Sequence, residues 1–289
     1  MSFDLPYTFA LEQPAANALF LSSRWLDAAT VTASSAQGLL SADHVQTIRP
    51  DQVWRATGCA AEWLAWDFGQ NVIVEALVAL AHNFSADAML RYRLAGSAAD
   101  VTAAPAIDTG FVSAWPISGK PDDPGESPFS LLTAANGIGY RYGRVDIQDP
   151  SNPAGFVQIG RGYAGPAFVP GNNVDINPSL GLISPDEVGR TAFGQTYGDN
   201  RGPAARVLQI PMSAIDVDEM NAEMFELQRY CGLAKDFAFC LDPAATGSAF
   251  KNYAMQARFS ALNSFTAQPV WNDSGRQIWQ TTLALEEIL

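Results

Sequence analysis

Histidine is nearly absent from this chain: His44 and His82 are the two among 289 residues. They stand far apart and in no H-E-x-x-H or similar spacing, so no histidine-built metal site is expected. Cysteine is almost as scarce. Cys59, Cys231 and Cys240 make no C-x-x-C pair and are too few for a disulfide framework, which points to reduced thiols in a protein made in the cytoplasm. Long apolar runs are missing as well, and no stretch approaches the ~18 residues of a membrane span. The opening MSFDLPYTFALEQP has no basic region followed by an apolar run and a small-residue cleavage site, so no secretory signal is expected. Basic charge is thin: 17 Lys and Arg against 30 Asp and Glu give a net charge of −13. Such a chain repels phosphate backbones, and nucleic acid is not an expected partner.

The motifs of common chemistry are lacking too. There is no G-x-S-x-G elbow and no Walker A loop. GIGYRYG (137–143) misses the G-x-G-x-x-G spacing and leads into a strand, which excludes a dinucleotide fingerprint. Cys231 and Cys240 lie in apolar settings and read as small buried hydrophobes. The acidic pairs Asp122–Asp123, Asp216–Asp218 and Glu286–Glu287 fit no calcium loop. A paired-carboxylate glycosidase stays open, because carboxylate separation is not written in sequence. No catalytic, cofactor or metal residue is assigned, and the expectation is a protein that is not an enzyme. What remains for contact are residues at or near turns. Trp54 and Trp115 could stack on sugar rings or anchor a partner, as could Trp25 and Trp271, and His82 with Asn83 ends a central strand. Trp54, His82, Asn83 and Trp115 are the candidate glycan or partner contacts.

What the chain does have is apolar residues, at 48%, punctuated by 23 Gly and 18 Pro. Short apolar runs between such breaks are the pattern of a mainly β protein. Leu64, Trp66 and Phe68 share one face of 62–69. After a turn at Gly69–Asn71, VIVEALVAL (72–80) is apolar on both faces and reads as a central strand. Ala88, Leu90, Tyr92 and Leu94 point inward, with Arg91 and Arg93 outward. Val145 and Ile147 alternate inward in 141–149, and 156–166 reads as one more strand. Residues 116–130 are a loop. Length suggests two domains. The pattern restarts near 165–173, placing a β-sandwich in 1–168 and a second β-rich domain in 169–289. That second domain carries one convincing helix near 216–231, with Val217, Met220, Met224, Leu227 and Cys231 in one stripe and Gly232 ending it. Strands 206–212, 236–241, 252–262 and 276–285 flank it, and 173–199 reads as a long hairpin.

Residues 53–97 resemble the first strands of galactose-binding-like, discoidin-type β-sandwiches (jelly rolls). Trp66, Asp67, Phe68 and Gly69 match the aromatic, Asp, hydrophobic and Gly positions of their aromatic–x–x–Asp–hydrophobic–Gly strand, and Arg141 to Ile147 match a later strand. The resemblance covers roughly 15–165. The whole chain is similar to proteins of tailed phages, prophages and gene transfer agents, through QTIRPDQVWRATG (46–58), LAHNFS (80–85), DPSNPAGFVQIGRGYAGPAF (149–168) and the strand–helix–strand order of 206–243. Its second half resembles the tube-type domain of distal tail and baseplate proteins. This resemblance implies a structural subunit of a siphophage-type tail tip: a homo-oligomeric ring, hexamer favoured and trimer possible. The ring would contact tail tube, hub and baseplate proteins, with host surface glycans as a further partner the resemblance allows. The subunit would be made in the host cytoplasm and carried in the virion. The alternative is a stand-alone, lectin-like carbohydrate-binding adhesin, and a third reading is an envelope-degrading enzyme.

Overall fold

The structure is a computed structural model that describes residues 16–123, 127–133, 137–175, 177–271 and 275–289. Three antiparallel sheets and a helix stack as four layers. The outermost is a five-stranded sheet in the order Thr30–Ala33, Glu62–Ile73, Gly139–Gln148, Met89–Ala95, Ile107–Ser113. Beneath it lies a three-stranded sheet of Arg161–Gly165, Ala76–Leu80 and Phe129–Thr133. These two sheets enclose a core of Leu64, Trp66, Leu90, Tyr92, Val145 and Ile147 on one side and Leu77, Ala79 and Leu132 on the other.

The middle sheet is buried on its other face as well. Ala76, Val78, Leu80, Phe129 and Tyr163 pack on Leu19, Leu21, Ala238 and Cys240 of an eight-stranded sheet. That sheet runs Ala167–Phe168, Leu19–Ser22, Phe237–Cys240, Ala254–Ala261, Gln277–Glu287, Ala205–Asp216 and Ser179–Ile183, with Thr266–Trp271 also paired to Gln277–Glu287. Strand alternation sends Phe20, Phe237 and Phe239 to its far side. There they meet Met220, Met224, Leu227 and Cys231 of the helix.

The helical run from Val217 to Cys231 starts where Asp216 accepts a bond from Asp218 N. It passes through a π segment, Met220–Met224, and ends at Gly232 with φ 53°. A shorter helix, Gly247–Tyr253, joins the core through Phe250.

Three expectations need correction. The run 72–80 is not one strand: Ile73 ends an outer strand and Ala76 begins a middle one, the chain crossing between sheets. Its apolar character on both faces is that of a layer covered above and below. Gly69–Asn71 is not a turn between strands but a bulge inside Glu62–Ile73, with Gly69 at φ 74° and pairing shifted between Asp67 and Val72. Nor do the sheets divide at residue 168. Leu19–Ser22 and Ala167–Phe168 pair with each other, and Leu19–Ser22 pairs with Phe237–Cys240, so both ends of the sandwich segment belong to the eight-stranded sheet.

Candidate functional site

At one end of the sandwich the structure brings His82, Asn83 and Trp115 together, and turns them inward. His82 stacks on Phe84 with ring centroids 4.1 Å apart and meets the edge of Trp115 at 5.1 Å. Its Nδ1 accepts from Phe84 N, and its Nε2 lies 2.8 Å from Ser130 Oγ, which donates onward to Ala114 O. That chain is satisfied by the neutral ring protonated on Nε2. Burial, and then Lys120, push the His82 pKa down to about 3. Trp115 donates to Ser85 O at 2.7 Å, with Lys120 over its ring. Asn83 spans the gap to the neighbouring loop, donating to Phe156 O and accepting from Gln158 N. Asp149, buried beside them, accepts from Ser85 N and Asn152 Nδ2. Trp54 sits apart, in a two-residue pairing with Ile159, fully buried and donating to Ser35 O. A sugar stacks on an open ring face, and neither Trp54 nor Trp115, at 0% and 6% exposure, offers one. Trp54, His82 and Trp115 are buried, and Asn83 is half-buried with its amide bonded to the neighbouring loop. Trp271, in contrast, is 63% exposed.

A second polar cluster lies between the sandwich and the eight-stranded sheet. Arg161, fully buried, donates two bonds to Asp236 at 2.8 and 2.9 Å and two to Asp27 at 2.6 and 2.9 Å. Tyr163 Oη and Gln256 Nε2 also donate to Asp236, at 2.6 and 2.8 Å. Burial opposes the charge on Arg161, but its carboxylate partners outweigh burial and keep the guanidinium protonated. Burial also lifts the Asp27 pKa above its ordinary value despite Arg161. Arg93, expected to face solvent, is buried as well, with Nη2 at 2.5 Å from Asp146, which also pairs with Arg144. Gln256, expected on an outward face, is buried against Asp236 and Ile48 O. The Arg161 cluster lies between layers and holds them together.

What the chain presents outward is a strand edge and an arm. Ser179–Ile183 closes one end of the eight-stranded sheet, with Leu180, Leu182 and Ile183 exposed. The expected 173–199 hairpin is realised as that edge strand followed by a two-stranded ribbon, Glu187–Arg190 with Thr196–Asp199. Every residue from Leu182 to Asn200 is exposed except Gly189, over which the Tyr197 ring lies. Val188 and Phe193 are 75% and 95% exposed. Turn residues marked this segment in the sequence. Its lack of any core of its own did not show there.

Among the described residues, no group of three or more His, Cys, Asp or Glu is placed to hold a metal ion. No described helix is long and apolar enough to cross a membrane. Asp123, from one of the acidic pairs, bonds Lys251 at 2.5 Å.

No protein-family model matches this chain, and no curated protein does. Solved structures superpose on about half of it. One is a family 32 carbohydrate-binding module of C. perfringens NanJ in complex with galactose, at 12% identity over 52% of this chain and 99% of that one, TM-score 0.36. A Clostridium perfringens module in complex with GalNAc-β-1,3-galactose matches at 10% identity, over 51% and 99%, TM-score 0.36. A Streptococcus pneumoniae fucose-binding module matches at 13%, over 50% and 95%, TM-score 0.34. At these identities and scores the likeness says nothing of what this chain binds. The β-sandwich is read from the strand pairing itself.

Proposed function

We propose that this chain is a non-catalytic structural subunit of a multi-copy assembly, with a ring at a phage-type tail tip as its concrete form. The observation that carries this is the arm. A two-stranded ribbon alone in water is marginally stable at best, and this one holds Val188, Phe193 and Tyr197 open to solvent. Beside it, Ser179–Ile183 ends the eight-stranded sheet among the described residues, with exposed leucines. Soluble chains cover or blunt such edges unless another chain pairs there. Two different surfaces meeting head to tail close into a ring when the rotation permits, and the sequence resemblance favours six copies, with three as the alternative. The rigid stack of three sheets would serve as the body from which the arm reaches a neighbour. On this reading the chain is made in the host cytoplasm and ends in the virion, against tube, hub and baseplate proteins.

The test is the mass of the purified chain across concentration, by sedimentation and native mass spectrometry, with electron microscopy of tail particles. Closed oligomers, and density for this chain at the tail tip, are expected. A monomer at every concentration that is absent from particles overturns the reading.

A second reading is glycan contact by the sandwich as a lectin-like module. It is favoured by the open face of the five-stranded sheet, where Arg144 lies over Trp63 at 4.4 Å, Arg141 over Tyr142 at 5.1 Å and Arg91 over Phe111 at 5.8 Å. Glycan-array binding lost in Trp63→Ala supports it, and binding unchanged by that substitution removes it.

A further inference from the structure

We propose that the eight-stranded sheet carries a binding cleft for a neutral glycan, at a place unrelated to the arm and to the sandwich. The strand Ala205–Asp216 outruns its edge partner: pairing with Ser179–Ile183 runs from Ala205 and ends at Gln209, and further along it is Asp175 N that donates to Pro211 O. Pairing with Gln277–Glu287 then shifts between Met212 and Ile215. The gap so opened is a cleft of about 420 Å³, walled by Asp175, Ser213, Asn263, Thr266, Gln280 and Thr282. That volume falls within the range of small-molecule sites.

The chemistry of the walls selects the ligand. Three side chains are tied by one end and present the other. Gln280 Oε1 accepts from Gln268 Nε2 at 2.8 Å, leaving its amide N–H groups. Asn263 Oδ1 accepts from Ala284 N at 3.2 Å, leaving its own. Asp175 Oδ1 accepts from Ser213 Oγ at 2.6 Å, leaving Oδ2. Donors and an acceptor are thus fixed before a ligand arrives, which lowers the ordering cost of binding. Each sugar hydroxyl both donates and accepts, and neighbouring hydroxyls match an amide beside a carboxylate.

Other ligand classes fit less well. The walls are polar apart from Pro211 and Met212, so an apolar ligand would strand their donors. The one charged wall residue is Asp175, on a chain of net charge −13, so phosphate, sulfate and sialic acid are repelled. Pro211 has no N–H to offer an added peptide strand, while its ring gives a C–H surface for a pyranose.

The full-length chain is titrated with lactose, N,N′-diacetylchitobiose and 3′-sialyllactose to millimolar concentration, read by saturation-transfer NMR. The expected result is saturable binding of at least one neutral disaccharide, weaker for 3′-sialyllactose than for lactose if lactose is the one bound. Gln280→Ala, an exposed position, weakens binding about tenfold, the share of one or two hydrogen bonds. Thr282→Val, also exposed, does the same should the first variant fold poorly. No saturable binding of either neutral sugar, or equal binding by the variants, overturns the proposal. Because the arm plays no part, the result is independent of whether the chain forms rings.

Discussion

Arg161 grips Asp236 with two hydrogen bonds, at 2.8 and 2.9 Å, and through that pair the middle sheet of the sandwich is fastened to the eight-stranded sheet. The residues are 75 positions apart, and Asp236 is 2% exposed. A buried pair broken on one side leaves an uncompensated charge, which costs about 3–5 kcal/mol. Arg161→Leu strands both Asp236 and Asp27 and is expected to lower stability by that amount. Asp236→Asn, which keeps an oxygen for Arg161, costs less. Urea unfolding midpoints at constant slope measure both.

His82 makes stability depend on pH. Folded, its pKa is held near 3, by burial first and Lys120 second, against an ordinary 6.5. The unfolded chain therefore takes up a proton below pH 6.5 that the folded chain refuses. Stability falls as pH drops through the window from 6.5 to 3, by up to about 1.4 kcal/mol per unit. Between pH 7 and 5, the native chain is expected to lose about 2 kcal/mol more than His82→Gln, which has no such proton to refuse. Denaturant titrations at the two pH values give the difference.

The three thiols should separate by reactivity. Burial pushes Cys231 up to about 12 and Cys240 higher still, so neither forms thiolate near neutrality. Cys59 is half-buried. A thiol-reactive dye at pH 8 is expected to label Cys59 alone in the folded chain and all three after unfolding. Fast labelling of Cys231 or Cys240 would place those residues outside the core described here.

The layers were legible where one rule sufficed. Alternation in 88–94 and 141–149 set the outer sheet, and the three-and-four spacing of Met220, Met224 and Leu227 set the helix. The apolar run 72–80 told of burial on two sides, though not that it crosses between sheets. What escaped depends on partners far along the chain. Four residues, Leu19–Ser22, carry no signal that they will pair with Phe237–Cys240. Nothing local to Arg161 announces two carboxylates, one at 27 and one at 236. Trp54 and Trp115 lie near turns, where aromatics often face water. Here each indole N–H finds a backbone carbonyl, and the ring is free to go inside. The cleft on the eight-stranded sheet escaped because Asp175, Asn263 and Gln280 meet only through sheet register.

The central claim is that the arm and the strand edge beside it exist for neighbouring copies. The direct measurement is sedimentation velocity of the native chain beside Leu182→Lys and Phe193→Ser, at matched concentration. Both positions are exposed, at 69% and 95%, so their folding midpoints should stay within about 0.5 kcal/mol of native. The account predicts closed oligomers for the native chain and monomers for both variants. Unchanged oligomers in both variants, or a native chain that never leaves the monomer, would contradict it.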